Sequence, residues 1–304
     1  MEYIKLGLSD LEVSRVGLGC LHIVEKRKEE AARVIQTAVD AGINFFDHAD
    51  IYLSEEPFRE ALQLTGIRRE DLILQSKGGI AENSYDFSYE YLMNALDGSL
   101  KRLDTDYLDI YLLHRPDALM DTEEVARFFE DAKKMGKVRW LGVSNFNPGQ
   151  IQLAFQNIKT QDRPVANQLQ LSLTDAPMIA HSLNVNLSVP SGIDYSGNVL
   201  DYCRLQGITL QAWSPLRSDD LQATFLKSPK FQELNDALEE LAESYNASPE
   251  AIAIAWILRH PAGIQPIIGT MTPDRIESIA KSTDIRLTRD EWYRLYSLAG
   301  HHMI

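Results

Sequence analysis

Four side chains of complementary chemistry, Asp47, Tyr52, Lys77 and His114, stand at or just beyond the ends of three successive apolar runs in this 304-residue chain. Apolar neighbours flank two of them, in Ile73-Leu74-Gln75-Ser76-Lys77 and Tyr111-Leu112-Leu113-His114. An ammonium in such surroundings needs a counter-charge, because desolvating it alone is costly. Asp47, on the neighbouring run, is the available partner. A cation beside Tyr52 favours the phenolate form and makes the phenol a better acid. A phenol that yields its proton readily is what reduction of a carbonyl needs at the carbonyl oxygen. Plainer roles exist for each: Tyr52 as packing, Lys77 with Asp47 as an ion pair closing a rim, His114 as a satisfied structural histidine. Their joint placement favours the catalytic reading, since interacting titratable groups in clefts mark function.

Bringing those groups together requires strands that deliver their ends to one place. The β-branched runs Val16–Cys20, Asn44–Ala49, Leu72–Gly78, Tyr107–His114, Val138–Ser144, Val165–Ser172, Thr209–Leu216 and Gly263–Gly269 are the expected strands. Between them the apolar residues recur every three or four positions, as in Leu92, Ala95, Leu96, Leu100 and Leu103, the period of a helix with one buried face. Ala31, Ile35, Ala38 and Val39 repeat the pattern ahead of Gly42, a helix stop. Ser248-Pro249-Glu250 and Thr272-Pro273-Asp274 each put a hydroxyl at an N-cap and proline at the first helical position. Eight alternations of strand and helix, with no G-x-G-x-x-G after the first strand, point to an α/β fold. The form expected is a (β/α)8 TIM barrel in one domain spanning 1–304, with extra C-terminal helices. Met1–Arg15 reads as a short N-terminal β-hairpin that plugs the barrel bottom. Chemistry in this fold sits at the C-terminal strand ends. The remaining ends carry Ser144-Asn145, Asn167-Gln168, Trp213-Ser214-Pro215 and Gly269-Thr270. Trp213 is expected to face a ligand and Trp140 the core.

Lys and Arg number 30 against 44 Asp and Glu, a formal charge of −14. A field of that sign makes nucleic acid and anionic membrane poor partners. The longest apolar run, Ala251 to Leu258, is too short to span a bilayer, and the N-terminus has no apolar signal core. Cys20 and Cys203 form no disulfide framework and no metal spacing, which fits a reducing cytoplasm. Cys20 is expected to line the site through its backbone rather than act as a nucleophile. A metal-dependent hydrolase built on Asp47, His48, Asp50 and His114 is opposed by strand alternation, which turns Asp47 and His48 to opposite faces. The metal expectation is therefore none.

At this point the sequence resembles the aldo-keto reductase superfamily over essentially its whole length. The segments that carry the resemblance are Gly17-Leu18-Gly19, Asn44-Phe45-Phe46-Asp47 through Tyr52, Ser76-Lys77, Leu112-Leu113-His114, Gly142-Val143-Ser144-Asn145-Phe146, Asn167-Gln168, Trp213-Ser214-Pro215-Leu216 and Ile268-Gly269-Thr270 through Arg275. Its nearest look is to the bacterial oxidoreductases of that superfamily and their potassium-channel β-subunit relatives. The resemblance implies an NADPH-dependent reduction of an aldehyde or ketone, with NADH as the alternative cofactor. Tyr52 would give the proton, Lys77 and Asp47 would tune it, and His114 would orient the carbonyl. Ser144, Asn145 and Gln168 would hold the nicotinamide carboxamide, and Trp213 would replace the usual tyrosine stacked on that ring. Gly19, Cys20, Leu21 and Asp47 would border it. Ser214, Pro215, Leu216 and Arg217 would lie over the pyrophosphate. Gly269, Thr270, Met271, Thr272 and Arg275 would hold the adenosine 2′-phosphate, and Ile268 would also contact the cofactor.

The sequence departs from the family pattern at Gly269, often lysine or arginine, at Ser278 and Ile279, often an acid or asparagine, and in Leu53-Ser54-Glu55 after Tyr52. The 2′-phosphate would then rely on Arg275 and backbone donors. The tail after the last helix is short, so an open pocket is expected. The partner expected is a small carbonyl compound, and the oligomeric state stays open. A nucleotide-sensing subunit with little turnover is the rival reading, which the full set of four polar residues disfavours.

Overall fold

Short apolar runs bounded by polar turns become strands here, and all but the first two join one sheet. The computed structural model describes residues 1–159, 162–218 and 223–303. Two strands, β1 (Tyr3–Lys5) and β2 (Glu12–Ser14), pair antiparallel as a hairpin. The others are β3 (Gly17–Gly19), β4 (Phe45–Asp47), β5 (Ile73–Gly78), β6 (Leu108–Leu113), β7 (Val138–Ser144), β8 (Ala166–Gln170), β9 (Thr209–Trp213) and β10 (Gln265–Ile268). They close a parallel barrel in the order β10-β3-β4-β5-β6-β7-β8-β9. Each expected strand is present, most of them trimmed at the ends.

Helices α1 (Lys28–Asp40), α2 (Glu55–Thr65), α3 (Tyr89–Leu103), α4 (Thr122–Lys134) and α5 (Pro148–Phe155) link the strands from β3 to β8. Two helices, α6 (Pro177–Leu183) and α7 (Val199–Gln206), precede β9, and two more, α8 (Gln232–Tyr245) and α9 (Pro249–Leu258), precede β10. The chain then runs through α10 (Pro273–Ala280) and α11 (Arg289–Leu298). Helix α3 buries Leu92, Leu96, Leu100 and Leu103 on one face, as its spacing requires. Helix α1 buries Ala31, Ile35 and Ala38 and is followed by Gly42 at φ 86°, a left-handed turn that glycine adopts without strain.

The apolar run Ala251–Leu258 is buried on every side, with neighbours on α8, α10 and β10. This is why it carries no polar face. Trp256 of α9 stacks on Trp292 of α11 at 4.8 Å, and each indole donates to the other's backbone carbonyl. No helix among the described residues is long and apolar enough to cross a membrane.

The hairpin closes the end of the barrel where the strands begin. Leu6, Leu11 and Val13 pack with Phe45, Ile110, Leu112, Val165, Ala166 and Ile267. Gly7 at φ 54° donates its N–H to Thr209 Oγ1 at 2.7 Å, and a Cβ there would stand 2.4 Å from the Val165 carbonyl oxygen. Trp140 packs against this cluster, as expected of a core residue, but is only half-buried and donates Nε1 to Asp10 Oδ1 at 2.9 Å. The indole nitrogen needs an acceptor, and Asp10 supplies it.

Candidate active site

Asp47 ends β4 inside the barrel, and the chain leaves it through a single 3-10 turn, Asp50–Tyr52. Leu53 follows at φ 55°, a left-handed conformation that a leucine enters only at a cost. The unusual residue after Tyr52 therefore still makes the sharp turn. Beyond it, the wholly buried Glu55 accepts from Ser76 Oγ at 2.6 Å and from Arg102 Nε at 2.6 Å. That carboxylate ties the start of α2, just beyond the Tyr52 turn, to β5 and to α3.

Lys77 is fully buried and donates Nζ to Asp47 Oδ2 at 2.6 Å and to the His48 carbonyl at 2.8 Å. Burial disfavours its ammonium, but Asp47 and then Tyr52 favour it more, and its pKa lies above the usual lysine value. The ammonium sits 5.0 Å from the Tyr52 ring centroid. Tyr52 Oη lies 3.5 Å from His114 Nε2, with the two rings edge to face. Burial, with the positive charges of Lys77 and Arg115 behind it, holds His114 down at about 3, so its imidazole is neutral. His48 turns the other way, toward Ser54 Oγ at 3.0 Å and the Phe58 ring. The four expected groups thus meet at one mouth.

Asp47 is held from below by side chains that no motif of the sequence singles out. Gln75 Nε2 and Gln168 Nε2 donate to Asp47 Oδ1 at 2.6 and 3.2 Å, and both also reach Gln211 Oε1. Gln211 Nε2 donates onward to Gln265 Oε1 at 2.9 Å, and Gln265 Nε2 to the Ser14 carbonyl at 2.8 Å. Four buried amides thus form one hydrogen-bonded run from the hairpin to the acid, in which Gln75 Oε1 is buried without a partner. The signal was available: β8, β9 and β10 each carry a glutamine, and registry pairs Gln168 with Gln211 and Gln211 with Gln265.

A cavity of about 510 Å³ opens above these groups. Of the residues expected at a cofactor, Gly19, Leu21, Asp47, Ser144, Asn145, Gln168, Trp213, Ser214, Pro215, Leu216, Arg217, Ile268, Gly269, Thr270 and Arg275 line it. Cys20, Met271 and Thr272 do not. The Cys20 thiol is wholly buried and directed at the Leu18 carbonyl, and burial pushes its pKa well above the usual thiol value, so it is no nucleophile. Thr272 occupies the N-cap of α10, but its hydroxyl makes no capping bond, contrary to the expectation from its sequence. Ser278 donates to Ser248 Oγ and Ile279 is buried, so both are used in helix packing. His22, Arg115, Ala223, Thr224 and Ile267 line the cavity without having been expected there.

The walls are tied together. Ser144 Oγ donates to the Gln168 carbonyl, Asn145 Nδ2 to Ser144 Oγ, and Trp213 Nε1 to Asn145 Oδ1 at 3.1 Å. Asn145 and Ser214 have φ of 63° and 52°, two left-handed residues on one rim. Backbone strain of this kind collects at ligand sites. At the far end Arg275 pairs with Glu250 at 3.4 Å.

Residues 15–299 match the model of the Aldo/keto reductase family. A 6-dehydroglucose reductase from Novosphingobium aromaticivorans is 36% identical over 302 residues, covering 95% of this chain and 92% of that protein. A probable voltage-gated potassium channel subunit beta from Oryza sativa subsp. japonica is 29% identical, covering 94% and 92%. Among solved structures, a thermostable aldo-keto reductase, Tm1743, in complex with the inhibitor epalrestat, superposes with a TM-score of 0.78 at 29% identity. That match covers 98% of this chain and all of the other.

Proposed function

The chain belongs to the aldo/keto reductase family, a family of carbonyl-reducing oxidoreductases, and on that premise we propose that it reduces an aldehyde or ketone with NADPH, Tyr52 giving the proton. The observation that carries the reading is the approach of Tyr52 Oη to His114 Nε2 at 3.5 Å, above the Lys77–Asp47 pair and at the inner end of the cavity. The donor set fits a nicotinamide dinucleotide. Trp213 offers an aromatic face at one end, and Arg217 and Arg275 offer guanidinium groups toward the other. Ser144, Asn145 and Gln168 would hold the carboxamide, Ser214 to Arg217 the pyrophosphate, and Gly269, Thr270 and Arg275 the 2′-phosphate. Hydride chemistry is what NADPH supplies when bound, and NADH supplies the same hydride with no 2′-phosphate to hold.

The protein's own part is at the oxygen. His114 Nδ1 is buried with no partner, and a bare lone pair is cheaper to bury than a bare N–H. The imidazole proton therefore sits on Nε2, facing Tyr52, and donates to a carbonyl oxygen seated there. Tyr52 delivers its proton to that oxygen as negative charge develops on it. The Lys77 ammonium then favours the charge left on the phenol, and Asp47, held by two glutamines, keeps the ammonium in place. Cys20 and Cys203 are both buried and form no disulfide, and a cytoplasmic location belongs to the same proposal.

The test is Tyr52→Phe. Carbonyl-dependent NADPH oxidation should fall by at least about a thousandfold, while the NADPH dissociation constant from fluorescence titration moves less than about threefold. A mutant with wild-type turnover removes Tyr52 from the role. Wild-type protein that binds NADPH yet reduces none of a broad panel of aldehydes, α-dicarbonyls and ketones is a nucleotide-sensing subunit instead.

A further inference from the structure

The described residues that line the cavity include three arginines, Arg115, Arg217 and Arg275, and a single carboxylate, Asp47, in a chain of formal charge −14. Asp47 is already balanced by Lys77. Arg275 pairs with Glu250, and with Arg217 it lies on the arm proposed for the cofactor phosphates. Arg115 stands apart from both. It follows His114 directly after β6, and β6 lies across the closed barrel from β10, the strand that leads to Arg275.

Arg115 is half-buried as a residue, and its guanidinium carbon lies 6.0 Å from the Trp213 ring centroid. No described carboxylate lies within ion-pair distance of it. The nearest acid in sequence, Asp117, spends Oδ1 on the Leu119 N–H at 2.8 Å and Oδ2 on the Phe87 N–H at 3.0 Å. A guanidinium that lines a cavity without a counter-charge gains a charge-assisted, bidentate contact once an anion joins it. Consecutive Cα atoms are about 3.8 Å apart, so this charge starts beside the residue that orients the carbonyl oxygen.

We propose that Arg115 recognises the anionic group of the substrate, and that the substrate class is a carbonyl compound carrying a carboxylate. This rests on the carbonyl-reductase reading of the same site. A carboxylate is favoured over a phosphate ester because one unpaired guanidinium balances a monoanion. A dianion would meet the acidic field of the protein with half its charge uncompensated.

Steady-state kinetics with 2-, 3- and 4-carboxybenzaldehyde against their methyl esters provide the test. Wild-type kcat/KM for the best acid should exceed that of its ester about tenfold or more, and Arg115→Gln should bring the ratio to about one or below. Arg115→Lys, which keeps the charge and loses the fork, should fall between. Titration calorimetry of 4-carboxybenzaldehyde into NADP+-saturated protein should show binding weakened about tenfold or more in Arg115→Gln. A wild-type preference for the esters, or a ratio unchanged in Arg115→Gln, overturns the proposal. A larger gain for glyceraldehyde 3-phosphate over glyceraldehyde than for acid over ester overturns the carboxylate assignment. Reduction of every aldehyde with no acid preference sinks the Arg115 inference and leaves the reductase reading standing. Carboxylate binding that depends on Arg115, with no aldehyde reduced, does the reverse.

Discussion

Arg275 is placed between two anions, one present and one proposed. Its guanidinium lies 3.4 Å from Glu250, with nearly half the side chain open to solvent. A pair this exposed contributes little to stability, so the arginine remains available to a dianion. A charge-assisted contact to a phosphate is worth about 1.5–3 kcal/mol, or roughly ten- to a hundredfold in affinity. Arg275→Ala should therefore raise the NADPH dissociation constant by about that factor and leave NADH within about threefold. Fluorescence titration of both cofactors checks it, and equal losses for the two would mean that Arg275 does not read the 2′-phosphate. At the same scale, Leu53, Asn145 and Ser214 hold left-handed conformations around the cavity. Only Asn145 belongs to a residue type that tolerates them readily.

Two helix starts with nearly the same sequence behave differently. Ser248 caps α9, its hydroxyl accepting from the Ala251 N–H, and it also accepts from Ser278 Oγ at 2.7 Å. Thr272 stands at the N-cap of α10 and makes no such bond. Ser248→Ala should cost about 1 kcal/mol in urea unfolding, whereas Thr272→Ala should stay within about 0.5 kcal/mol. Equal costs would show that both hydroxyls cap in solution. The difference reflects where each helix starts. Helix α9 starts half-buried, with Ser278 of α10 reaching its cap, while α10 starts at the exposed Thr272 beside the cavity rim at Thr270.

The whole molecule should be sensitive to mild acid. Burial holds His48 and His114 at about 3 and His260 at about 4, all below the ordinary histidine value. Lysine or arginine charges add to each of these shifts. Between the unfolded value of about 6.5 and those folded values, the unfolded chain binds protons that the native one refuses, so stability falls as pH falls. Each buried histidine contributes up to about 1.4 kcal/mol per pH unit in that window. Asp50 works in the opposite direction. Burial pushes its carboxyl up to about 6, and its contribution is lost as pH rises from about 4 toward that value. Those three histidines, with His301 also lowered by burial, outweigh the one such acid and leave a net loss toward low pH. The urea midpoint should drop steadily from pH 6.5 to 4.5 and the slope should flatten in His114→Asn. A midpoint constant or rising over that range contradicts the assignment of neutral buried histidines.

Strand periodicity, helix caps and the polar residues at strand ends were enough to indicate the barrel, its hairpin plug and the four groups at its mouth. These signals are local, and a closed barrel converts order along the chain into order around a ring. The glutamine run beneath Asp47 and the idle hydroxyl of Thr272 are different in kind. So is the guanidinium of Arg115, which Asp117 leaves unpaired by turning to two backbone N–H groups. Each depends on which partner a side chain chooses when several lie within reach. That choice is made by distances between strands and loops far apart in sequence, and only the folded chain sets them.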